Sequence, residues 1–206
     1  MSADRIESEL KERPTFNFNA YRVKVSESEF KDYVASDGLF KSKIDDPIFL
    51  NAFKIDKGIL KFNIPRNKIN SYHASFIATY LVQKLLDTSQ SFCFETVMSN
   101  IAKIALLKKA QQAGYKTYLY FIFTDNVNLN ITRVKLRTKL GKHDVPVDLI
   151  KSRYPRTFEL LPHALKFSDE AYIIDNSNQP ILAAEKTKNV LKVHKSASLF
   201  IKGYLK

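Results

Sequence analysis

The chain of 206 residues is 45% hydrophobic, with 15 Phe, 10 Tyr and no Trp, enough apolar side chain to fill the core of one domain. That apolar share excludes disorder, 5 Gly and 7 Pro exclude collagen-like or linker character, and the single cysteine, Cys93, excludes a disulfide framework or a cysteine-based zinc site. The net charge of +12 sits almost wholly in the second half: residues 1–100 hold 14 Lys/Arg against 13 Asp/Glu, and residues 101–206 hold 19 against 8.

Such asymmetry points to a polyanionic ligand handled by the C-terminal half, a phosphate ester, nucleotide or nucleic acid, although a solvated basic surface gives the same count. Charge interrupts every apolar stretch well before the ~18 residues a membrane span needs. No apolar run follows Met1-Ser2-Ala3-Asp4-Arg5, so no signal peptide is expected and the default compartment is the cytoplasm.

Residues 3–13 read as a short polar helix, acidic early and basic late as the helix dipole favours. Ser26-Glu27-Ser28-Glu29 has capping-box spacing and opens a helix to about Ser36. From 37 to 70 the pattern is irregular, broken by Gly38, Pro47, Gly58 and Pro65, and reads as an insertion with short helices. Ile69, Tyr72, Phe76, Tyr80, Leu81 and Leu85 predict an amphipathic helix over 69–87. From there the chain alternates. Residues 91–96 (SFCFET) read as a short buried strand, 98–113 as a helix closed by Gly114, and 115–124 as the strongest strand. Residues 127–140 and 147–167 read as helices joined by 141–146, residues 171–175 as a strand ending at Asn176-Ser177-Asn178, and 181–195 as a β-hairpin. Continuous apolar strands alternating with helices predict an α/β fold, with a parallel sheet flanked by helices on both faces.

In open α/β sheets ligands bind beyond the carboxyl ends of strands. Glu95-Thr96, Thr124-Asp125 and Asp175-Asn176-Ser177 fall at such ends. Glu95, closing an apolar strand before a helix, is placed to hold Mg²⁺ or a substrate hydroxyl; in the plainer alternative Thr96 or Ser99 caps the helix and Glu95 is merely exposed. For Asp175 the plainer alternative is a turn-forming Asp-Asn pair. Arg133 and Arg137 lie four apart on one predicted helix, Arg153 and Arg156 three apart on the next, so two basic faces meet across the 141–146 connection. Guanidinium forks bind phosphate oxygens bidentately, and such a helix pair is suited to close over a phosphoryl group. No G-x-x-x-x-G-K-[ST], G-x-G-x-x-G or G-x-S-x-G stretch occurs.

Several separated motifs together resemble one family. Ser91-Phe-Cys-Phe-Glu95-Thr96-Val97-Met98-Ser99 resembles the F-x-F-E-T-x-x-S segment of zeta-toxin-type P-loop kinases. Arg133 through Arg137, then Gly141-Lys142-His143-Asp144-Val145-Pro146, then Ile150 to Arg156 are similar to that family's lid, and Tyr172 to Ser177 to its closing strand. Ser2-Ala3-Asp4-Arg5-Ile6 resembles its N-A-D-x-I motif. The resemblance covers residues 1–14 and 71–178. It implies a single kinase domain over 1–206 with a P-loop-kinase-like parallel sheet, an insertion at 37–70, an arginine-bearing lid over 127–168 and a C-terminal hairpin and tail at 181–206.

It also implies transfer of phosphate from ATP to a hydroxyl of a small substrate such as a UDP-linked amino sugar, with Mg²⁺ as cofactor. Asp4 would be the general base, Glu95 would stand beside Mg²⁺ or the substrate, and Arg137 and Arg153 would clamp the moving phosphate. Thr96, Arg133, Lys142, His143 and Arg156 would serve the nucleotide or substrate. Lys142 stands where the family usually has a second glycine. The resemblance admits an antitoxin protein as partner, and neither nucleic acid nor a membrane is expected. The family's first strand and phosphate-binding loop should precede the Asp4 motif and are not among these residues. Two expectations follow, a kinase completed by upstream residues, or a catalytically silent module that binds a nucleotide or phospho-ligand.

Overall fold

The computed structural model describes residues 1–37, 47–141 and 144–205, which form two compact units, Met1–Thr96 and Val97–Lys206. The first unit opens with α1 (Ala3–Glu12), capped by Ser2, whose Oγ accepts the Arg5 N–H at 3.3 Å. Ile6 and Leu10, four apart, point the same way, and α1 packs there against α4 (Ser71–Asp87). Ser26 caps α2 (Glu27–Ser36) as its spacing predicts, the Glu29 N–H donating to its Oγ. Phe30 on α2 sits edge-on to Phe53 and Tyr80, with ring centroids 5.1 and 5.0 Å away, the centre of a core built largely from aromatic rings.

The 37–70 region corrects the expectation of short helices alone. After α3 (Pro47–Leu50) it forms a hairpin of β2 (Phe53–Asp56) and β3 (Ile59–Phe62), and β1 (Thr15–Asn17) pairs antiparallel with β3 on its other edge. The hairpin closes through Lys57 and Gly58, both at positive φ, the two-residue turn whose twist matches the strands. A Cβ on Gly58 would stand 2.5 Å from Asn19 Oδ1, and the Asn19 amide donates to the Lys57 carbonyl, so this glycine is required by space as well as by φ. Strands of four residues are too short for alternation to announce them. Residues 38–46 lie outside the described residues.

Residues 91–96 are also a correction. They are not a strand, and Ser91, Cys93, Glu95 and Thr96 are exposed while Phe92 and Phe94 are half-buried. Met1 bonds their backbone in a strand-like way: its amino group donates to the Cys93 carbonyl at 2.9 Å and its carbonyl accepts the Glu95 N–H at 2.8 Å. That bracket around Phe94 is the parallel pattern, but a single such pair makes no ladder.

The second unit holds α5 (Ile101–Gln112), β4 (Tyr118–Phe123), α6 (Val127–Lys139), α7 (Val147–Glu159), α8 (Leu161–Lys166), β5 (Glu170–Asp175), β6 (Ile181–Thr187), β7 (Val190–Val193) and α9 (Leu199–Lys202). Gly114 at φ +83° ends α5 in a Schellman closure, with the Tyr115 N–H bonded to the Ala110 carbonyl and the Gly114 N–H to that of Gln111. The helix expected over 147–167 is two, α7 and α8, which break at Leu160; Pro162 takes an early position of α8, where its missing N–H is least costly, whereas Pro155 lies inside α7. Strand order is β4-β5-β6-β7, with only β4 and β5 parallel. The fold is therefore mixed α/β with a partly parallel sheet. It departs from the expected parallel sheet because β6 and β7 follow β5 through tight turns, which force antiparallel pairing.

Phe121, Phe123, Ala171, Ile173, Ala183 and Ala184 face the helices and are buried with Phe158, Leu161 and Ile201. The side chains alternating with them on β4 are open to solvent: Tyr118 is 48%, Tyr120 64% and Ile122 62% exposed. Among the described residues of this unit, helices on both faces are thus not realised at β4, whose continuous apolar run suggested burial on both sides. No helix among the described residues is long and apolar enough to cross a membrane.

Two buried polar groups carry testable consequences. Lys186, on β6 and 8% exposed, donates from Nζ to the Leu165 and Ser168 carbonyls at 2.7 and 2.6 Å, tying the end of α8 to the sheet. Lys186→Met strands both acceptors and lowers unfolding stability by about 1–3 kcal/mol in urea denaturation. His73, 5% exposed, stacks on Phe49 at 4.1 Å, accepts the Asn70 N–H at Nδ1, and buries Nε2 without a hydrogen bond. Burial lowers its pKa from 6.5 to about 4. The unfolded imidazole takes up a proton as pH falls below 6.5 while the folded one stays neutral, so stability falls by about 1.4 kcal/mol per pH unit across that window. An NMR titration should show the His73 ring neutral at pH 5, and denaturation curves should show a stability loss between pH 6.5 and 4 that His73→Leu reduces.

Candidate functional site

In the second unit the parallel pairing of β4 and β5 brings both strands to an end on one side, as their register Phe123↔Asp175 shows. The polar residues that follow each strand meet there. The Asn176 N–H extends the ladder to the Phe123 carbonyl at 2.7 Å. Asp175, 7% exposed, accepts at Oδ1 from the Ser177 N–H at 2.9 Å and from Ser177 Oγ at 2.6 Å, while Ser177 Oγ accepts the Asp125 N–H at 3.0 Å. The plain reading of Asp175 as a turn former is thus correct in form, and the turn it forms is tied across to β4.

The two arginine-bearing helices are fastened to the same strand ends. Asn126 caps α6, accepting the Asn128 N–H at 2.8 Å. Buried Thr124 has Asn130 Oδ1 at 3.1 Å and the Asn126 carbonyl at 3.2 Å as alternative acceptors for its single hydroxyl proton. One helical turn on, Arg133 Nη2 donates to the Ser177 carbonyl at 3.4 Å. From α7, the Tyr154 hydroxyl donates to the Thr124 carbonyl at 2.7 Å. Burial, then the charges of Asp125, Tyr204 and Asp175, push that phenol up to about 12, so it remains a donor at neutral pH.

The arginines stand on α6 and α7 as their spacing predicts. Arg133 and Arg137 are half-buried on one face of α6, and Arg153 is half-buried on α7. Arg156 departs from the expectation: it is exposed and turns back on its own helix, Nε donating to the Ser152 carbonyl at 2.8 Å and Nη2 reaching Ser152 Oγ at 3.3 Å. A guanidinium so engaged has fewer donors left for a ligand. α6 and α7 pack together, and Asp144 Oδ1 closes their connection by accepting from Thr138 Oγ1 and the Val145 N–H. Lys142 and His143, both expected at the site, lie outside the described residues.

In the first unit, Asp4 is exposed in the first turn of α1, favoured there by the helix dipole. Glu95 is exposed and hydrogen-bonded through its backbone to Met1, three residues before Asp4, so the chain brings these two carboxylates to one end of the unit. Thr96 is exposed and caps nothing; the cap of α5 is Asn100, which accepts the Ala102 N–H at 2.9 Å. Glu95 supplies hard oxygen donors of the kind Mg²⁺ takes, yet among the described residues no group of three or more His, Cys, Asp or Glu gathers as a metal site.

Sequence reasoning singled out the strand-end clusters but assigned no role to Asn130, Tyr154 or Ser177, which hold them together. Their signal was weak, because short polar residues near strand ends are ordinary turn formers.

No protein-family model matches this chain, and no solved structure matches it. An uncharacterized protein of Haemophilus influenzae (strain ATCC 51907 / DSM 11121 / KW20 / Rd) is 33% identical over 63 residues, which are 31% of this chain and 45% of the relative. The chain thus spans less than half the length of the curated relative it matches.

Tyr154 provides a direct test of how α7 is anchored. Tyr154→Phe keeps the ring contacts with Phe158 and Phe200 and removes only the bond to Thr124. It should cost about 1 kcal/mol in chemical denaturation, with the circular dichroism spectrum unchanged.

Proposed function

We propose that this protein is a phosphotransferase of the zeta-toxin type, moving phosphate from ATP to a hydroxyl of a small substrate such as a UDP-linked amino sugar. The observation that carries this reading is the fastening of Arg133, with Arg137 one turn beyond on the same face, to the carboxyl ends of two parallel strands. Ligands of α/β sheets bind at that end, and phosphoryl transfer needs positioning and neutralisation of spread negative charge more than covalent help. In this reading Arg137 and Arg153 neutralise the transferring group, and Arg133 holds the nucleotide phosphates. Asp4 takes the proton of the attacking hydroxyl, and Glu95, with Thr96 beside it, serves Mg²⁺ or the acceptor. Arg156 contributes least, since its donors are engaged by Ser152.

A second reading, a module that binds a nucleotide or phospho-ligand without turnover, asks only for the half-buried Arg133 and Arg137 on one face of α6 and for none of the carboxylates.

Incubation with labelled ATP, Mg²⁺ and a panel of UDP-linked sugars separates the two readings. The kinase reading expects a phosphorylated acceptor, with turnover lowered by roughly a thousandfold in Arg137→Ala. In Asp4→Asn the loss should be at least about a hundredfold, with melting temperatures unchanged in both. Undiminished turnover in both variants would overturn the residue roles. Thermal stabilisation by nucleotide without any transfer would select the binding module.

A further inference from the structure

Ser177 is the point where three elements converge. Its hydroxyl accepts from the Asp125 backbone after β4 and donates to Asp175 at the end of β5, its N–H donates to the same carboxylate oxygen, and its carbonyl takes the Arg133 guanidinium from α6. The direction of that carbonyl is set by the turn, and the turn is set by the Asp175 carboxylate, which is 7% exposed. A flexible arginine loses rotamer freedom when it binds a phosphate, and one already held by a carbonyl has less to lose. One Nη2 proton spent on Ser177 leaves the rest of the five-donor fork for a ligand.

From this geometry we propose that Asp175 and Ser177 are positioning residues, a clasp that holds the Arg133 guanidinium at the carboxyl ends of β4 and β5 in readiness for a phosphate group. The inference rests on the phosphate-binding reading of the arginines given above and adds a role to two residues that act through Arg133. Asp175 acts on Ser177, and Ser177 acts on Arg133. Tyr154 holds the neighbouring helix α7 through the Thr124 carbonyl, and the Thr124 hydroxyl bonds Asn130 on α6 itself.

The test has two arms. In the first, the arginine side-chain ¹⁵N spectrum of the ligand-free chain reports whether the Arg133 guanidinium is restrained. Arg133→Ala assigns its signal, which should broaden or shift toward the free-arginine position in Ser177→Ala and Asp175→Ala and be retained in Ser177→Thr, which keeps the hydroxyl. In the second, ADP affinity is measured in a double-mutant cycle. Ser177→Ala should weaken binding by roughly tenfold in the wild-type background and not at all in the Arg133→Ala background. Losses that multiply in the double variant, or an Arg133 signal indifferent to Ser177→Ala, would overturn the clasp. A wild-type chain with the restrained signal but no affinity for ADP or inorganic phosphate would overturn the phosphate-binding reading while leaving the guanidinium contact intact.

Discussion

The parallel pairing of β4 with β5 is the constraint on which the second unit depends. Two parallel strands cannot be joined by a tight turn, so the chain must leave the end of β4, cross back and re-enter at the start of β5. Here α6, α7 and α8 make that crossing. Because the strands run the same way, their carboxyl ends lie side by side, and the residues that leave them can bond across. The Asp125–Ser177–Asp175 chain of hydrogen bonds is a consequence of that geometry, as are the attachments of α6 through Asn130 and Arg133 and of α7 through Tyr154. At the far side of the sheet, Lys186 performs a related task, satisfying the carbonyls where α8 stops. Small residues make these attachments reachable: Ala171, Ala183 and Ala184 are fully buried and let the sheet approach the rings of Phe158 and Phe200.

The first unit solves its burial problem with rings instead. Phe30 is edge-on to Phe53 and Tyr80, Phe18 is edge-on to Tyr80, and His73 joins the cluster as a neutral ring against Phe49. A cluster of that kind stabilises a small unit efficiently because each ring buries a large area at the cost of two side-chain torsions. The histidine makes part of that stability pH-dependent, since a protonated imidazole would have to be desolvated among aromatic side chains.

Much of the local structure was legible because local rules govern it. The Ser26 cap, the end of α5 at Gly114, the helical phase of residues 71–87 and the placing of Arg133 with Arg137 all follow from spacing and backbone preference. The failures share a cause. The segment 91–96 has the composition of a buried strand, but a strand exists only where another pairs with it over several residues, and the pairing with Met1 is too short for that. The β2–β3 hairpin carries its decisive signal in Lys57-Gly58, two residues inside a stretch that otherwise reads as irregular. Arg156 has the spacing of a ligand-binding arginine, and Ser152, four residues earlier on the same helix, takes its donors.

The sequence by itself determined where α2 begins and where α5 ends, which half of the chain is cationic, and which polar residues follow β4 and β5, because each of these depends on neighbours within a few positions. Tertiary structure alone decided that β6 runs antiparallel to β5, that the β4 side chains Tyr118, Tyr120 and Ile122 are exposed, and that Asp175, Ser177 and Asp125 form one hydrogen-bonded group with Arg133. The bonds from Ser177 to Asp125 and Arg133 join residues 52 and 44 positions apart in the chain, and no local preference encodes which of the available partners a strand end or a guanidinium will meet.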